Sequence, residues 1–192
     1  MEFSQESIFT DARSHKQFDG HPLTEEQIRS IYELAKFAPS ANNSCPLRIV
    51  FTNTPDSIER LASCALDFNQ EKTRSAGTAA ILAYDLDFYT EFPMLAPHMK
   101  QPPSHASWSD GQLEHFALAN SNLQAGLFIA AARALGFDCG PMGGFDSQAV
   151  ETTFFDNPRW RFNCVVLLGK GDPSRLHPRA ARLTFDQACC IT

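Results

Sequence analysis

The sequence has little that would mark secretion, membranes or nucleic acids. Its first residues carry neither the positive nor the apolar segment of a signal peptide, and no apolar stretch approaches about 20 residues. The 192-residue chain has 16 Lys and Arg against 22 Asp and Glu, for a formal net charge of -6. The Lys and Arg residues are dispersed along the sequence, whereas binding to the phosphate backbone of a nucleic acid needs them in clusters. We therefore expect a cytoplasmic protein that binds neither nucleic acid nor membrane.

Familiar catalytic and metal motifs are also absent. The six cysteines form no Cys-x-x-Cys pair, and the chain has no zinc signature, Walker loop, Gly-x-Gly-x-x-Gly or Gly-x-Ser-x-Gly motif. These absences predict reduced thiols and no metal site, with Cys64 and Cys164 as small core residues. What remains is a set of separated turns of small residues together with basic residues. This pattern favours a protein that binds a cofactor and relies on the cofactor for the chemistry.

The apolar runs that are present alternate between strand and helix lengths. At 192 residues and 43% hydrophobic content the chain can bury one core, so we predict a single domain over residues 1–192 of the α/β or α+β class. Thr24 and Gln27 have the spacing of a capping box at the start of a first helix. The remaining apolar runs predict strands over 47–52, 79–84 and 162–169 and a helix over 55–65.

The longest helix is predicted over 113–135, with Gly136 as its left-handed terminator. Apolar residues lie on nearly all of its sides, which predicts a helix buried all round. Asn120, Asn122 and Gln124 interrupt this pattern, and buried amides need hydrogen-bonding partners. A helix at a subunit interface or beside a polar ligand fits these amides, and a central helix with internally bonded amides fits equally well.

Three segments lack a regular period. Residues 88–110 contain four prolines and predict a long loop or lid that shapes the choice of substrate, although His98 and His105 within it indicate no particular one. Residues 137–146 read as a glycine-rich turn, after which Asp146 can cap a short helix. The tail over 170–192 is too irregular for a core element, and such tails often cross to a partner subunit.

Four separated segments resemble the nitroreductase family in order and spacing. They are Arg-Ser-His-Lys-Gln-Phe over 13–18, Pro-Ser-Ala-Asn-Asn-Ser-Cys-Pro over 39–46, Asn-Gln-Glu-Lys over 69–72 and Gly-Pro-Met-Gly-Gly-Phe-Asp over 140–146. The resemblance covers essentially the whole chain and looks closest to the malonic semialdehyde reductase, or RutE-type, branch. It implies an α+β fold with a central, mainly antiparallel sheet flanked by helices, assembled as an intertwined homodimer that holds FMN between its subunits.

The resemblance assigns the basic residues at the two ends of the chain to the cofactor. Arg13 and Ser14 match phosphate-side contacts, and a bidentate guanidinium suits phosphate. Lys16 matches a basic residue that reaches the flavin ring. Arg179 and Arg182 match residues that close on the FMN phosphate. Taken without the resemblance, these residues also fit a solvated basic turn and a solvated tail.

The middle of the chain supplies the implied contacts to the ring. Asn43 matches a residue beside the flavin. Asn69 and Lys72 lie three apart, on one face of a helix, and match a pair at the pyrimidine edge of the ring. A cation there stabilises the negative charge of the reduced flavin where water is partly excluded. An ordinary solvated surface lysine is the alternative for Lys72.

Gly143 and Gly144 match a turn whose backbone N–H groups face the flavin, and glycine permits both close approach and unusual backbone angles. The chain departs from many nitroreductases at two places. Gly143 stands where many have glutamate, and Cys45-Pro46-Leu47 stands where many have Gln-Pro-Trp. Cys45 at the second place is a candidate redox-active thiol, and an inert thiol is the favoured alternative.

The activity implied is that of an FMN-dependent NAD(P)H oxidoreductase. Hydride would pass from NADH or NADPH to the flavin and then, by a ping-pong mechanism, to a small organic acceptor. The branch implies malonic semialdehyde, reduced to 3-hydroxypropionate, and nitroaromatics, quinones and enones remain open. A flavin-binding module without NAD(P)H turnover and a flavin-free structural dimer are the alternatives.

Overall fold

A four-stranded antiparallel sheet forms the centre of the structure, a computed structural model that describes residues 5–99 and 104–192. Its strands are β1 (Leu47–Thr52), β2 (Thr78–Asp85), β3 (Asp138–Met142) and β4 (Trp160–Gly169), in the order β1-β2-β4-β3. All three neighbouring pairs run antiparallel. The predicted α+β fold with a mainly antiparallel sheet is confirmed, as are the three predicted strands.

Helices cover both faces of this sheet. They are α1 (Glu25–Ala35), α2 (Pro55–Ser63), α3 (Asp67–Ser75), α4 (Phe92–Leu95), α5 (Asp110–Ala134), α6 (Ser147–Phe154) and α7 (Phe185–Ala188). Because side chains alternate along a strand, the wholly buried β2 sends Ile81 into the core beneath α2 and α6 and Leu82 into the core beneath α1 and α5. The sheet is therefore a middle layer between two apolar cores.

Capping residues explain where the helices begin. Thr24 and Gln27 form the expected capping box at the start of α1. Ser109 and Gln112 form another, which starts α5 at Asp110, three residues before the predicted boundary. The prediction used only the apolar residues and missed this polar signal. Gly136 follows α5 with a φ of 85°, which confirms it as the left-handed terminator.

All three segments predicted as irregular contain some regular structure, which in the tail is the short exposed helix α7. Residues 138–142 of the expected glycine-rich turn form β3, and Pro141 is tolerated there because β3 lies at the end of the sheet order. Within 88–110, short helical turns pack an aromatic cluster around His105, which is only 2% exposed. The rings of that cluster are Phe88, Tyr89, Phe92, Trp108 and Phe116. Residues 100–103 of this predicted loop lie outside the described part of the chain.

The prediction that α5 is buried on all sides is wrong for one face. Leu123 is 55% exposed and Leu127 is 43% exposed. Together with the exposed Ala119 and Gly126 they form a line at helical spacing, which we call the α5 stripe. Among the described residues no helix has the length and apolar character needed to cross a membrane.

The cysteines differ in burial as their neighbours in sequence suggest. Cys64 and Cys139 are buried, Cys164 is half-buried, and Cys189 and Cys190 are exposed. Burial raises the pKa of the Cys139 thiol from its ordinary value of 9.0 to about 12, because a thiolate inside the protein would lose its hydration.

This shift predicts a loss of stability in alkali. Because the folded-state pKa is the higher one, the contribution of Cys139 is complete below the unfolded-state pKa and is lost as the pH rises toward the folded-state value. Above pH 9, ionisation of this thiol in the unfolded chain should lower the free energy of unfolding by up to about 1.4 kcal/mol per pH unit. Urea titrations at pH 7.5, 9 and 10.5 should show a shallower decline for Cys139→Ala than for the wild type. Parallel declines would contradict the prediction.

Candidate cofactor site

A chain of hydrogen bonds joins α3 to the turn after β3. Asn69, which is 4% exposed, donates from Nδ2 to the carbonyl oxygen of Gly144 at 3.1 Å. Lys72 donates from Nζ to Asn69 Oδ1 at 2.8 Å, and its ammonium lies 5.4 Å from the centre of the Phe68 ring. Asn69 and Lys72 therefore share one face of α3, as expected. Lys72 is half-buried and fixed to the glycine turn rather than extended into solvent.

The two glycines of this turn differ in their surroundings. A Cβ on Gly144 would lie 2.5 Å from Asn69 Nδ2 and 3.1 Å from the Phe68 ring, whereas one on Gly143 would have no neighbour within 4 Å. Neither glycine has a positive φ, so the expected unusual backbone angles are not found. Glycine is needed at 144 for close packing against Asn69. Gly143 leaves an open surface at the turn.

The N-terminal segment lies alongside β3 next to this turn. Ser14 pairs with Cys139 in a parallel bridge, and the His15 amide donates to the Cys139 carbonyl at 3.0 Å. Because the pairing is parallel, Lys16 follows toward the end of β3 that carries Gly143. Ser14 and Lys16 are exposed. His15 between them is only 7% exposed, and its Nδ1 lies 3.4 Å from Asp138 Oδ1, so its side chain packs inside the protein.

The C-terminal tail returns to the same segment. Arg13 donates from Nη2 to the His177 carbonyl at 2.5 Å, and Arg179 donates from Nη2 to the Ala12 carbonyl at 3.0 Å. This exchange places the two guanidinium-bearing segments side by side. Arg182 instead hydrogen-bonds to the carbonyls of its own neighbours, Ala180 and Ala181. The structure thus brings Arg179 to the candidate site and leaves Arg182 on the exposed tail.

These residues fit a cofactor that carries a phosphate and a flat ring. Arg13 and Arg179 are fork-shaped donors suited to phosphate oxygens. Lys16 and Lys72 are point charges suited to a ring that gains negative charge. The glycine turn lies close to them with its outer surface open, so a planar group can approach its backbone.

Asn43 lies elsewhere, in the loop before β1. This 40–47 loop has three non-glycine residues with positive φ, namely Asn42 at 56°, Asn43 at 53° and Cys45 at 41°. Asn43 is exposed and donates from Nδ2 to the carbonyl of Leu95 in α4 at 2.8 Å. Cys45 is half-buried, with its Sγ 3.4 Å from Asn43 Oδ1.

The candidate residues therefore fall on two edges of the sheet. The glycine turn follows β3, and the loop carrying Asn43 precedes β1, with β2 and β4 between them. Three strand spacings of about 4.8 Å separate these edges by about 14 Å. Within one chain the structure brings Asn69, Lys72, Gly143 and Gly144 together at the glycine turn, and it brings Arg13 and Arg179 together beside Ser14, near the start of β3. Lys16 follows Ser14 in the direction of the glycine turn, and Asn43 belongs to neither group.

Side chains that support the 40–47 loop were not identified as site residues from the sequence. Asn120 accepts a hydrogen bond from the Ala41 amide, and Gln124 accepts one from the Leu47 amide. Arg48 donates to the Cys45 carbonyl and pairs with Asp85 at 2.9 Å. The amides that interrupt α5 were a signal for this support, and an arginine within an apolar strand was another.

Comparisons with known proteins identify the family of the chain. The sequence model of the nitroreductase family matches residues 10–170. A provisionally named NADH dehydrogenase/NAD(P)H nitroreductase from Ralstonia nicotianae is 42% identical over 186 residues, which is 97% of this chain and 95% of the relative. The chain belongs to the nitroreductase family.

Other nitroreductase relatives resemble this chain over nearly its whole length. A protein with the same provisional name from Leptothrix cholodnii is 44% identical over 96% of the chain and 93% of its own length. A solved structure from Exiguobacterium sibiricum, provisionally named a nitroreductase and in complex with FMN, matches with a TM-score of 0.86 at 21% identity, covering 100% of this chain and 98% of that one. In the part of this chain that the structure describes, no cluster of three His, Cys, Asp or Glu could hold a metal ion.

Proposed function

We propose that the protein is an FMN-dependent NAD(P)H oxidoreductase. The observation that carries the proposal is the Lys72–Asn69–Gly144 chain of hydrogen bonds, which fixes a cation beside an open glycine turn. A solvated surface lysine would need neither the buried amide nor the close-packed glycine. The names of the relatives support NAD(P)H as the electron donor, and the similar structure in complex with FMN supports FMN as the cofactor.

Each candidate residue has a physical task in this proposal. Arg13, Ser14 and Arg179 would hold the phosphate. Lys16 and Lys72 would stabilise negative charge on the ring, and the open turn at Gly143 would let the ring approach the backbone. Bound FMN would supply the redox chemistry, taking hydride from NADH or NADPH and passing it to the acceptor. Arg182 would need the exposed tail to move before it could join them.

Malonic semialdehyde is the acceptor that we would test first. The sequence resemblance to the RutE-type branch supports this acceptor. The names of the relatives point to nitro compounds as acceptors instead. A single FMN-binding domain over residues 1–192 is part of the same proposal. The cytoplasmic location stays a prediction from the sequence.

A second copy of the chain would complete the site. Asn43 and the glycine turn belong to opposite edges of a sheet that is about 14 Å wide, so both groups can contact one flavin if Asn43 comes from a partner. The exposed leucines of the α5 stripe provide an apolar surface for that partner. The tail adds Leu183, Phe185 and Ile191, each at least 60% exposed. We therefore propose a homodimer with FMN between the subunits.

A charge in the α5 stripe should break this dimer. Leu127→Asp would bury a carboxylate in an apolar contact, so we expect monomers at micromolar concentrations where the wild type is dimeric. Sedimentation velocity measures the change. Met94→Asp is the matched control, because Met94 is 70% exposed on α4, outside the stripe. Two dimeric variants would exclude the stripe as the interface.

The visible spectrum of the purified protein tests the activity. We expect flavin absorbance that bleaches when NADH or NADPH is added without oxygen and returns when malonic semialdehyde, a nitroaromatic, a quinone or an enone is added. Flavin absorbance that resists both nucleotides would favour a flavin-binding module without turnover. Colourless protein after reconstitution with FMN would favour a flavin-free dimer and exclude the proposed activity.

A further inference from the structure

The 40–47 loop has a backbone that is costly to hold. Asn42, Asn43 and Cys45 all take left-handed φ values within four residues. A left-handed conformation disfavours residues with a Cβ, although asparagine tolerates it better than most. Such geometry persists only where the surrounding structure enforces it. Inside the loop, the Cys45 N–H donates to Ser40 Oγ at 3.0 Å and the Asn43 N–H donates to the Ser40 carbonyl at 3.0 Å. Further hydrogen bonds reach the loop from α5 and β1.

Asn120 and Gln124 hold the two ends of this loop from α5. Asn120 Oδ1 accepts the Ala41 N–H at 2.7 Å, and Gln124 Oε1 accepts the Leu47 N–H at 3.0 Å. The two residues are four apart, so they lie on one face of the helix. Both are buried, at 6% and 5% exposure, in a helix that is otherwise mainly apolar. We call this pair the amide clamp.

The orientation of the first amide is fixed. Asn120 Nδ2 donates to the Phe116 carbonyl at 2.9 Å, one turn earlier on α5, which leaves Oδ1 directed at Ala41. On the other side of the loop, Arg48 Nη1 donates to the Cys45 carbonyl at 2.9 Å, while its Nη2 pairs with the buried Asp85. The amide clamp and Arg48 thus fix the loop from two directions.

Burying two amides costs free energy unless each is hydrogen-bonded, and alanine or leucine would pack α5 against the sheet without that cost. The clamp contacts backbone groups of the loop that carries Asn43, the residue matched to a flavin contact. We propose that Asn120 and Gln124 are positioning residues that preorganise the 40–47 loop for FMN. This inference rests on the proposed function for its cofactor and on the hydrogen bonds for its mechanism.

The test uses variants that remove the accepting oxygen. Asn120→Leu and Gln124→Met should each raise the FMN dissociation constant about tenfold. Ser121→Ala is the matched control, because Ser121 is buried on α5 but donates to the Ala83 carbonyl in β2 at 3.5 Å. It should lower the melting temperature and leave FMN affinity within about threefold.

Hydrogen exchange of the flavin-free protein gives an independent readout. The Ala41 and Leu47 amides are the donors in the clamp, so a peptide spanning 41–47 should exchange about tenfold faster in Asn120→Leu and Gln124→Met and at the wild-type rate in Ser121→Ala. Unchanged exchange, or equal loss of FMN affinity in Ser121→Ala, would overturn the inference. Wild-type protein that binds no FMN would overturn the proposed function, and the exchange rates would still decide whether the clamp exists.

Discussion

Gly144→Ala should lower FMN affinity about thirtyfold, or about 2 kcal/mol, while the protein still folds. The added Cβ would lie 2.5 Å from Asn69 Nδ2, so the Asn69 side chain must move. That movement breaks the bond from Asn69 to the Gly144 carbonyl and releases the Lys72 ammonium from Asn69 Oδ1. Fluorescence titration of the apoprotein with FMN measures the loss, and circular dichroism checks the fold.

Gly143→Ala is the matched control for this experiment. A Cβ there has no neighbour within 4 Å, and neither glycine has a positive φ, so the two variants differ in packing and not in backbone strain. We expect the Gly143 variant to bind FMN within about threefold of wild type. Equal losses in the two variants would show that the hydrogen-bond chain from Lys72 does not carry cofactor affinity.

Phe128→Ala should reduce the free energy of unfolding by about 3–5 kcal/mol. Phe128 is fully buried in the core between α1, α5 and the sheet, where its ring lies 6.1 Å from that of Phe51. Truncation removes the ring and leaves a cavity that close-packed neighbours cannot fill. Phe37→Ala makes the same change at a ring that is 78% exposed, outside the α5 stripe and the tail, and should stay within about 0.5 kcal/mol of wild type. Urea unfolding of the two variants measures the difference, and similar losses would contradict the assignment of Phe128 to the core.

Features that depend on interactions between neighbouring residues could be predicted from the sequence. The capping box at Thr24 and the terminator at Gly136 lie where predicted, because both depend on residues within one turn of the helix end. β3 was missed because glycine and proline are poor strand formers, and only the position at the end of the sheet order makes Pro141 acceptable. Sequence shows composition, but it does not show which strand lies at an edge.

The candidate site was readable to a similar degree. The spacing of Asn69 and Lys72 placed them correctly on one helix face. The separation of Asn43 from the glycine turn could not be predicted, because it depends on the strand order. The interrupted pattern of α5 signalled that Asn120 and Gln124 need partners, but the partners are backbone amides more than 75 residues away in the chain.

The exchange of hydrogen bonds between Arg13 and the tail has a consequence for handling the protein. One proteolytic cut before His177 would remove Arg179 and also the carbonyl that orients Arg13, so both guanidinium groups assigned to the phosphate would be affected together. The exposed tail is a favourable site for such a cut. Loss of yellow colour during storage would then report clipping of the tail rather than unfolding of the sheet, and mass spectrometry of the faded sample would separate the two.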